Sequence, residues 1–432
     1  MSVRRAALLL AAALLAAPAC SSFSDLPLAP PHESVAADAH RADTIIDVIT
    51  AADMPLIETR PADVAAKYAK MASDPFNFLR GNMALYEYDL AHHHKVWDVL
   101  PAATAILPND PHPENLGTLG DASYLVVDWN DFDNSHVGPT GHDVLRGAVA
   151  VSVFARQVDP HGDSRDAALA FAKAYRDADP GVGGRFLDDL LQLAQTDGAA
   201  HQEIADELVT GTNGRMIKRG AKHLSVDAAT RSAIASSLAA YEATRLAGAP
   251  ALPPLTDVVQ LKGKGVASLP LLRYELLFRG TAADGSEDIL LQMKEAWDAS
   301  AGTSTELNAW GVVTGMQTDD AASDLDPNLG VAHAGASWFV VRTVNAWQQG
   351  VDHKVITAAI ANGTRTHADL VDLAAYLGGD LALAHLQGGA DSTDLDASGL
   401  ADLAESWADK TASDAATFAQ RLASDGPLFG IQ

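Results

Sequence analysis

The sequence predicts an α+β fold in which a mostly helical body encloses a smaller β-rich insertion. Three observations predict it. Apolar residues recur at helical spacing through much of residues 60–250 and again beyond residue 350. Between Asp257 and Thr343 the period turns strand-like. Pro253-Pro254 marks the change. At 432 residues, 48% apolar and 20% charged, the chain can bury one large core or two lobes.

The N-terminus reads as a targeting segment. Arg4 and Arg5 precede an Ala/Leu run from Ala6 to Ala17, which is too short to span a bilayer as a mature helix. Pro18-Ala19 then lead to Cys20, the single cysteine, so no internal disulfide exists. The placement of Cys20 resembles a bacterial lipobox, with Ala17 where leucine is usual. Residues 1–19 are therefore expected to be a signal peptide, and 20–59 a lipidated cysteine and tether rich in Pro and Ser over 21–35. Lipid on Cys20 would hold an exported domain on a membrane of the cell envelope. Ordinary signal cleavage beside an incidental cysteine is the alternative.

Residues 60–250 follow as a helical lobe. Asp63–Met71 is amphipathic, Asp74-Pro75 breaks it, and Met83–Leu90 resumes. A short strand, a loop and a hairpin turning at Gly120-Asp121-Ala122-Ser123 fill 103–133. Ala/Leu-rich helices are expected from 143 to 249. Residues 251–349 form the β-rich lobe, with strands at Val258–Leu261, Leu271–Arg279, Asp288–Lys294 and Ser337–Arg342. Residues 350–432 return to helices, including Asp369–His385 and Ser398–Leu422, which complete the larger lobe.

The chemistry concentrates in 109–133. Asp110 and Asn115 lie five residues apart in one loop, and Asp131 follows the apolar run Tyr124–Trp129. Kinase-like phosphotransferases use this order: a loop Asp for the acceptor hydroxyl, an Asn for metal, and a second Asp for metal after the next strand. Asp110 is thus the candidate base, with His112 beside it to orient the loop or the carboxylate. Asn115 and Asp131 are candidate magnesium ligands, since Mg2+ takes hard oxygen donors together with phosphate oxygens. Lys294 ends an apolar strand and is the candidate clamp on the phosphates of an ATP-like nucleotide. Gly263 and Gly265 precede it in a turn that lets backbone approach phosphate. Glu306 or Gln317 is expected to pair with Lys294.

The glycine turn and Lys294 follow the catalytic-type loop, whereas in kinases they precede it. A circular permutation reconciles the order and predicts a two-lobed, protein-kinase-like fold. The run Ser73–Gly81, the Asp110/His112/Asn115 loop, Asn130-Asp131-Phe132-Asp133, Leu291–Ala296, Gly315-Met316-Gln317 and Leu383-Ala384-His385 occur in one order. That joint pattern, over roughly residues 65–390, resembles the bacterial family called domain of unknown function 2252, which looks kinase-like. The chain departs from the family at Asn109, where glycine is usual, and at Leu116, where phenylalanine is usual.

A formal net charge of -26 opposes nucleic-acid binding. Serine-hydrolase, HExxH zinc and CxxC motifs do not occur. Two functions are compatible with these residues. One is an exported, metal-dependent phosphotransferase acting on a small-molecule or protein acceptor. The other is a non-catalytic, surface-tethered binding protein that keeps the scaffold. His92-His93-His94 reads as a solvated helix face rather than a metal site.

Overall fold

Helix breaks fall where the sequence supplies caps. Pro61–Met71 and Pro75–Gly81 each begin on proline, whose missing N–H costs nothing at a first helical position. The Asp74 side chain accepts from Asn77 N at 2.8 Å and so caps the second helix. Met83–His92 follows. The computed structural model describes residues 40–431 except 201, 213, 300 and 320–325. The expected signal segment, Cys20 and the 21–35 stretch lie outside the described residues.

Residues 41–59, expected as the end of the tether, form the helix Arg41–Thr59 instead. Ile45, Ile49 and Leu56 bury one face of it with Tyr68, Met71 and Phe418. The reason is local: aliphatic residues at 45, 46, 49, 56 and 57 leave the extended, Pro/Ser-rich composition behind.

The main core is built by Thr140–Val158, Ser164–Asp177, His367–Gln387 and Ala397–Asp425. Phe154, Phe171, Tyr175, Leu373, Leu377, Leu381 and Leu400 are almost fully buried there. Each is worth roughly 1.5–3 kcal/mol of burial. Gly378 lets two of these helices touch, because a Cβ there would lie 2.0 Å from the carbonyl oxygen of Phe171. Among the described helices, none is long and apolar enough to cross a membrane.

A six-stranded antiparallel sheet supplies the β content. Its order is Gly330–Ala334, Ser337–Val344, Ile289–Glu295, Arg273–Phe278, Leu255–Leu261, His223–Ser225. Side chains alternate between faces. Val258, Leu276, Leu291 and Val341 point to the helix Ala228–Glu242 and pack on Ile234 and Tyr241. The other face carries Val259, Leu277, Leu290 and Val344, then becomes polar with Gln292, Lys294, Arg273, Glu275 and Arg342.

The fold is α+β, as expected, with two differences inside the expected lobes. The short strands Leu208–Gly211, Gly214–Ile217 and His223–Ser225 lie within 143–249, and the last joins the large sheet. At three or four residues, with Gly and Arg inside, they are too short to show an alternating period. Conversely, the helix Glu306–Thr318 lies within the β-rich stretch, capped by Thr305, whose hydroxyl accepts from Asn308 N at 3.1 Å.

Candidate functional site

The strand Thr104–Leu107 pairs with His136–Pro139 and delivers the chain into the loop Asn109–Asn115. Asn109 sits at φ 69, in the left-handed region. Asparagine tolerates that conformation better than other side-chain-bearing residues. Its backbone N donates to Asp143 Oδ2 at 3.0 Å. His142 Nδ1 lies 3.2 Å from Asp143 Oδ1, and His385 Nε2 lies 3.5 Å from Oδ2. Burial alone would raise the Asp143 carboxyl, but the hydrogen bond from His142 and the nearby His385 imidazole hold it well below the usual range. The loop thus starts from an ionised, fully buried anchor.

Asn115 ends a single 3-10 turn, Pro113–Asn115. Its Nδ2 donates to the Asp110 carbonyl at 3.0 Å, which ties the loop to itself. The hairpin Leu116–Gly120/Leu125–Trp129 pairs Leu116 with Trp129, and Asn130 N donates to Asn115 O at 2.9 Å. This register sets the Asn115 backbone beside Asn130, one residue before Asp131.

Asp110 is held by Arg146, whose Nε donates to Oδ1 at 2.8 Å. Arg146 is 3% exposed, donates to Leu79 O at 2.6 Å and lies over the Tyr86 ring. Burial pushes the Asp110 carboxyl above the usual range against the pull of Arg146. His112 Nε2 stands 3.8 Å from Asp110 Oδ2 and accepts from Arg80 Nε at 3.4 Å. Burial, then the charges of Arg80 and Arg146, push His112 well below its ordinary value, so the ring is neutral. Arg80 also pairs with Glu114, whose Oε1 lies 2.5 Å from His353 Nδ1.

The sheet contributes the cations. Lys294 is in register with Arg273 on one neighbouring strand, and Gln292 with Arg342 on the other. All four project from one face. Lys294 Nζ lies 3.4 Å from both carboxylate oxygens of Asp131 and makes an ion pair with Asp133. Arg342 Nη1 donates to Asn130 O at 2.6 Å. Burial alone would raise the Asp131 carboxyl, but Lys294 and then Arg342 hold it far below the usual range. Burial, and then the neighbouring Asp131 charge, push Asp133 up to about 6. Asp131 also contributes to the field at Asp110 and at His112. Loop and sheet are linked through Asn130, whose N donates to Asn115 O and whose carbonyl accepts from Arg342.

The expected partner of Lys294 is corrected: Glu306 and Gln317 are both exposed, and Asp131 and Asp133 take that place. The adjacent Glu295 faces the opposite side of the sheet, where Arg60 grips it at 2.5 and 2.9 Å. Gly263 and Gly265 adopt φ +75 and +84, the turn conformation that glycine supplies. Lys70 Nζ donates to Gly265 O at 2.9 Å. The turn reaches the cluster indirectly, because Ser268 lies against Gly265 and its Oγ accepts from Arg273 Nη2 at 3.1 Å. His92, His93 and His94 are exposed.

Arg146, Arg273, Arg342 and Asp133 had no assigned role in the sequence reading. Arg146 left one signal, a lone arginine inside the apolar run 144–155. Nothing local marks Arg273 or Arg342, since strand register alone sets them beside Lys294 and Gln292.

The sequence model of a bacterial family, described as "Uncharacterized protein conserved in bacteria (DUF2252)", matches residues 60–179 and 184–426. No curated protein matches the chain. No solved structure matches it either.

Proposed function

The chain belongs to the DUF2252 family, and from that premise we propose a magnesium-dependent phosphotransferase site in a circularly permuted, kinase-like arrangement. The six-stranded sheet corresponds to the small lobe and the helices to the large one. The observation that carries the reading is the meeting of Lys294 with Asp131, 3.4 Å apart although 163 residues separate them. That lysine and that aspartate are the two groups a kinase sets on opposite sides of the phosphates.

Each residue then has a task. Asp110 takes the acceptor hydroxyl through the Oδ2 side, because Arg146 occupies Oδ1. Its raised carboxyl makes it a better proton acceptor than an exposed aspartate. Neutral His112 beside it does not compete as a cation. Asn115, Asp131 and Asp133 offer only hard oxygens toward a metal, a donor set that fits Mg2+. Bound Mg2+ would neutralise charge on the phosphate oxygens. Lys294, with Arg273 and Arg342 on the same sheet face, meets the phosphates of an ATP-like nucleotide. Gly263 and Gly265 keep that turn free of side chains. Lipid on Cys20 would hold the domain at the cell envelope. Labelled palmitate should mark the wild type and not Cys20→Ser; equal labelling would remove the anchor from the reading.

The decisive measurement is calorimetry of the full chain with Mg-ATP, wild type against Asp131→Ala. Binding by the wild type, weakened in the variant, is the expected result. Equal binding by both, or binding by neither, overturns nucleotide use. A non-catalytic, surface-tethered scaffold is the second reading. It is favoured by one feature: Lys294 and Asp110 already have ion partners within the chain.

A further inference from the structure

On the polar sheet face that also carries Lys294 and Arg273, three metal-ligating side chains converge toward the edge strand. Glu207 ends the helix Gln202–Glu207, His223 opens the edge strand His223–Ser225, and Glu275 lies on Arg273–Phe278, two strands further in. His223 Nε2 stands 3.2 Å from Glu275 Oε2 and 3.4 Å from Glu207 Oε2. One ligand atom from each residue lies within 4.8 Å of the other two.

Glu275 is 4% exposed, and its Oε2 has no hydrogen-bond partner although the imidazole nitrogen is so near. The approach is therefore not an aligned hydrogen bond. The oxygens of Glu275 and Glu207 both approach the one imidazole nitrogen, at 3.2 and 3.4 Å. A buried, unpartnered carboxylate oxygen is costly, and apposing another carboxylate adds to the cost. A cation between the three atoms removes both penalties.

We propose that Glu207, His223 and Glu275 form a divalent-cation site of the zinc or manganese class. One imidazole nitrogen with two carboxylates suits those ions, whereas Mg2+ is served by oxygen alone. Three protein ligands leave the remaining coordination to water. The ion ties the short edge strand, paired on one side only, to a strand beyond its neighbour. It thereby stiffens the polar sheet face at the end away from the strand Gly330–Ala334. The site does not depend on the phosphotransfer reading.

The test uses the full chain, stripped of metal by a chelator and titrated with Zn2+ by calorimetry and thermal unfolding. Wild type, Glu275→Gln, His223→Gln and His353→Gln are compared, the last altering the separate Glu114/Asp352/His353 group. Zn2+ should raise the wild-type Tm by mass action. Glu275→Gln and His223→Gln should each lose an equivalent of Zn2+ and the Tm rise, and His353→Gln should keep both. The proposal falls if the wild type binds no Zn2+, if the Glu275 and His223 variants bind as much as wild type, or if His353→Gln alone abolishes binding. Should the Glu275 and His223 variants fold poorly, X-ray absorption of Zn2+-loaded His353→Gln decides. An imidazole among light ligands supports the site, and oxygen-only coordination overturns it.

Discussion

Lys294→Met is the most informative single change, because it removes an ammonium and keeps the bulk. In the wild type Nζ lies 3.4 Å from both oxygens of Asp131 and pairs with Asp133. At an effective dielectric of about 20, one such charge pair at that distance is worth roughly 5 kcal/mol. Both carboxylates are 31% exposed, so water screens part of this. Proton uptake by one of them relieves more. A net loss of about 2–3 kcal/mol near neutral pH is the resulting expectation. The pH dependence has a definite sign. Burial and then Asp131 raise the folded Asp133 carboxyl from 3.8 to about 6. A raised carboxyl contributes fully below its unfolded value, and the contribution is lost as pH rises through the folded value. The depressed Asp131 carboxyl acts oppositely: its contribution is complete above the unfolded value and is lost only in strong acid. Across the window from about 4 to about 6, Asp133 therefore costs the wild type roughly 1–2 kcal/mol, after discounting for its exposed third. Without the ammonium the loss becomes larger and extends to higher pH. Urea unfolding of both proteins at about pH 4.5 and about pH 7.5 measures the difference. A destabilisation below about 0.5 kcal/mol near neutrality, or one that does not grow with pH, would refute the electrostatic account.

Two further changes probe the support of the site. Asn109→Gly should leave thermal stability nearly unchanged, whereas Asn109→Val should cost about 1–2 kcal/mol, since a β-branched residue resists φ 69; equal melting temperatures for all three proteins would contradict the conformational argument. Glu295→Ala strips both Arg60 nitrogens, Ser337 Oγ and Leu272 N of their acceptor. A loss of about 3–5 kcal/mol in urea unfolding is expected, and less than about 1 kcal/mol would show that water replaces the carboxylate freely.

Local signals were legible where they were strong. The Asp74-Pro75 break is a capped helix start, and the Gly120–Ser123 turn joins the strands Leu116–Gly120 and Leu125–Trp129. The helices ending in Gln387 and Asp425 follow their apolar periods. The strands at 208–225 escaped because three or four residues carry no readable period. The helix Arg41–Thr59 adjoins a Pro/Ser-rich stretch, and its apolar face is defined by the distant partners Tyr68, Met71 and Phe418.

The sequence by itself determined which residue types were available and in what order: Asp110, Asn115, Asp131, then a glycine turn and a lysine strand. Spacing along the chain sets those, and hairpin pairing then joins Asn115 to Asn130. Only the tertiary structure decided the charge partners. Asp131 and Asp133 hold Lys294, Arg146 holds Asp110, and His385 reaches back to Asp143. Ion pairs depend on distance through space, and strand register and helix packing set that distance across more than a hundred residues. Local periodicity carries no record of it.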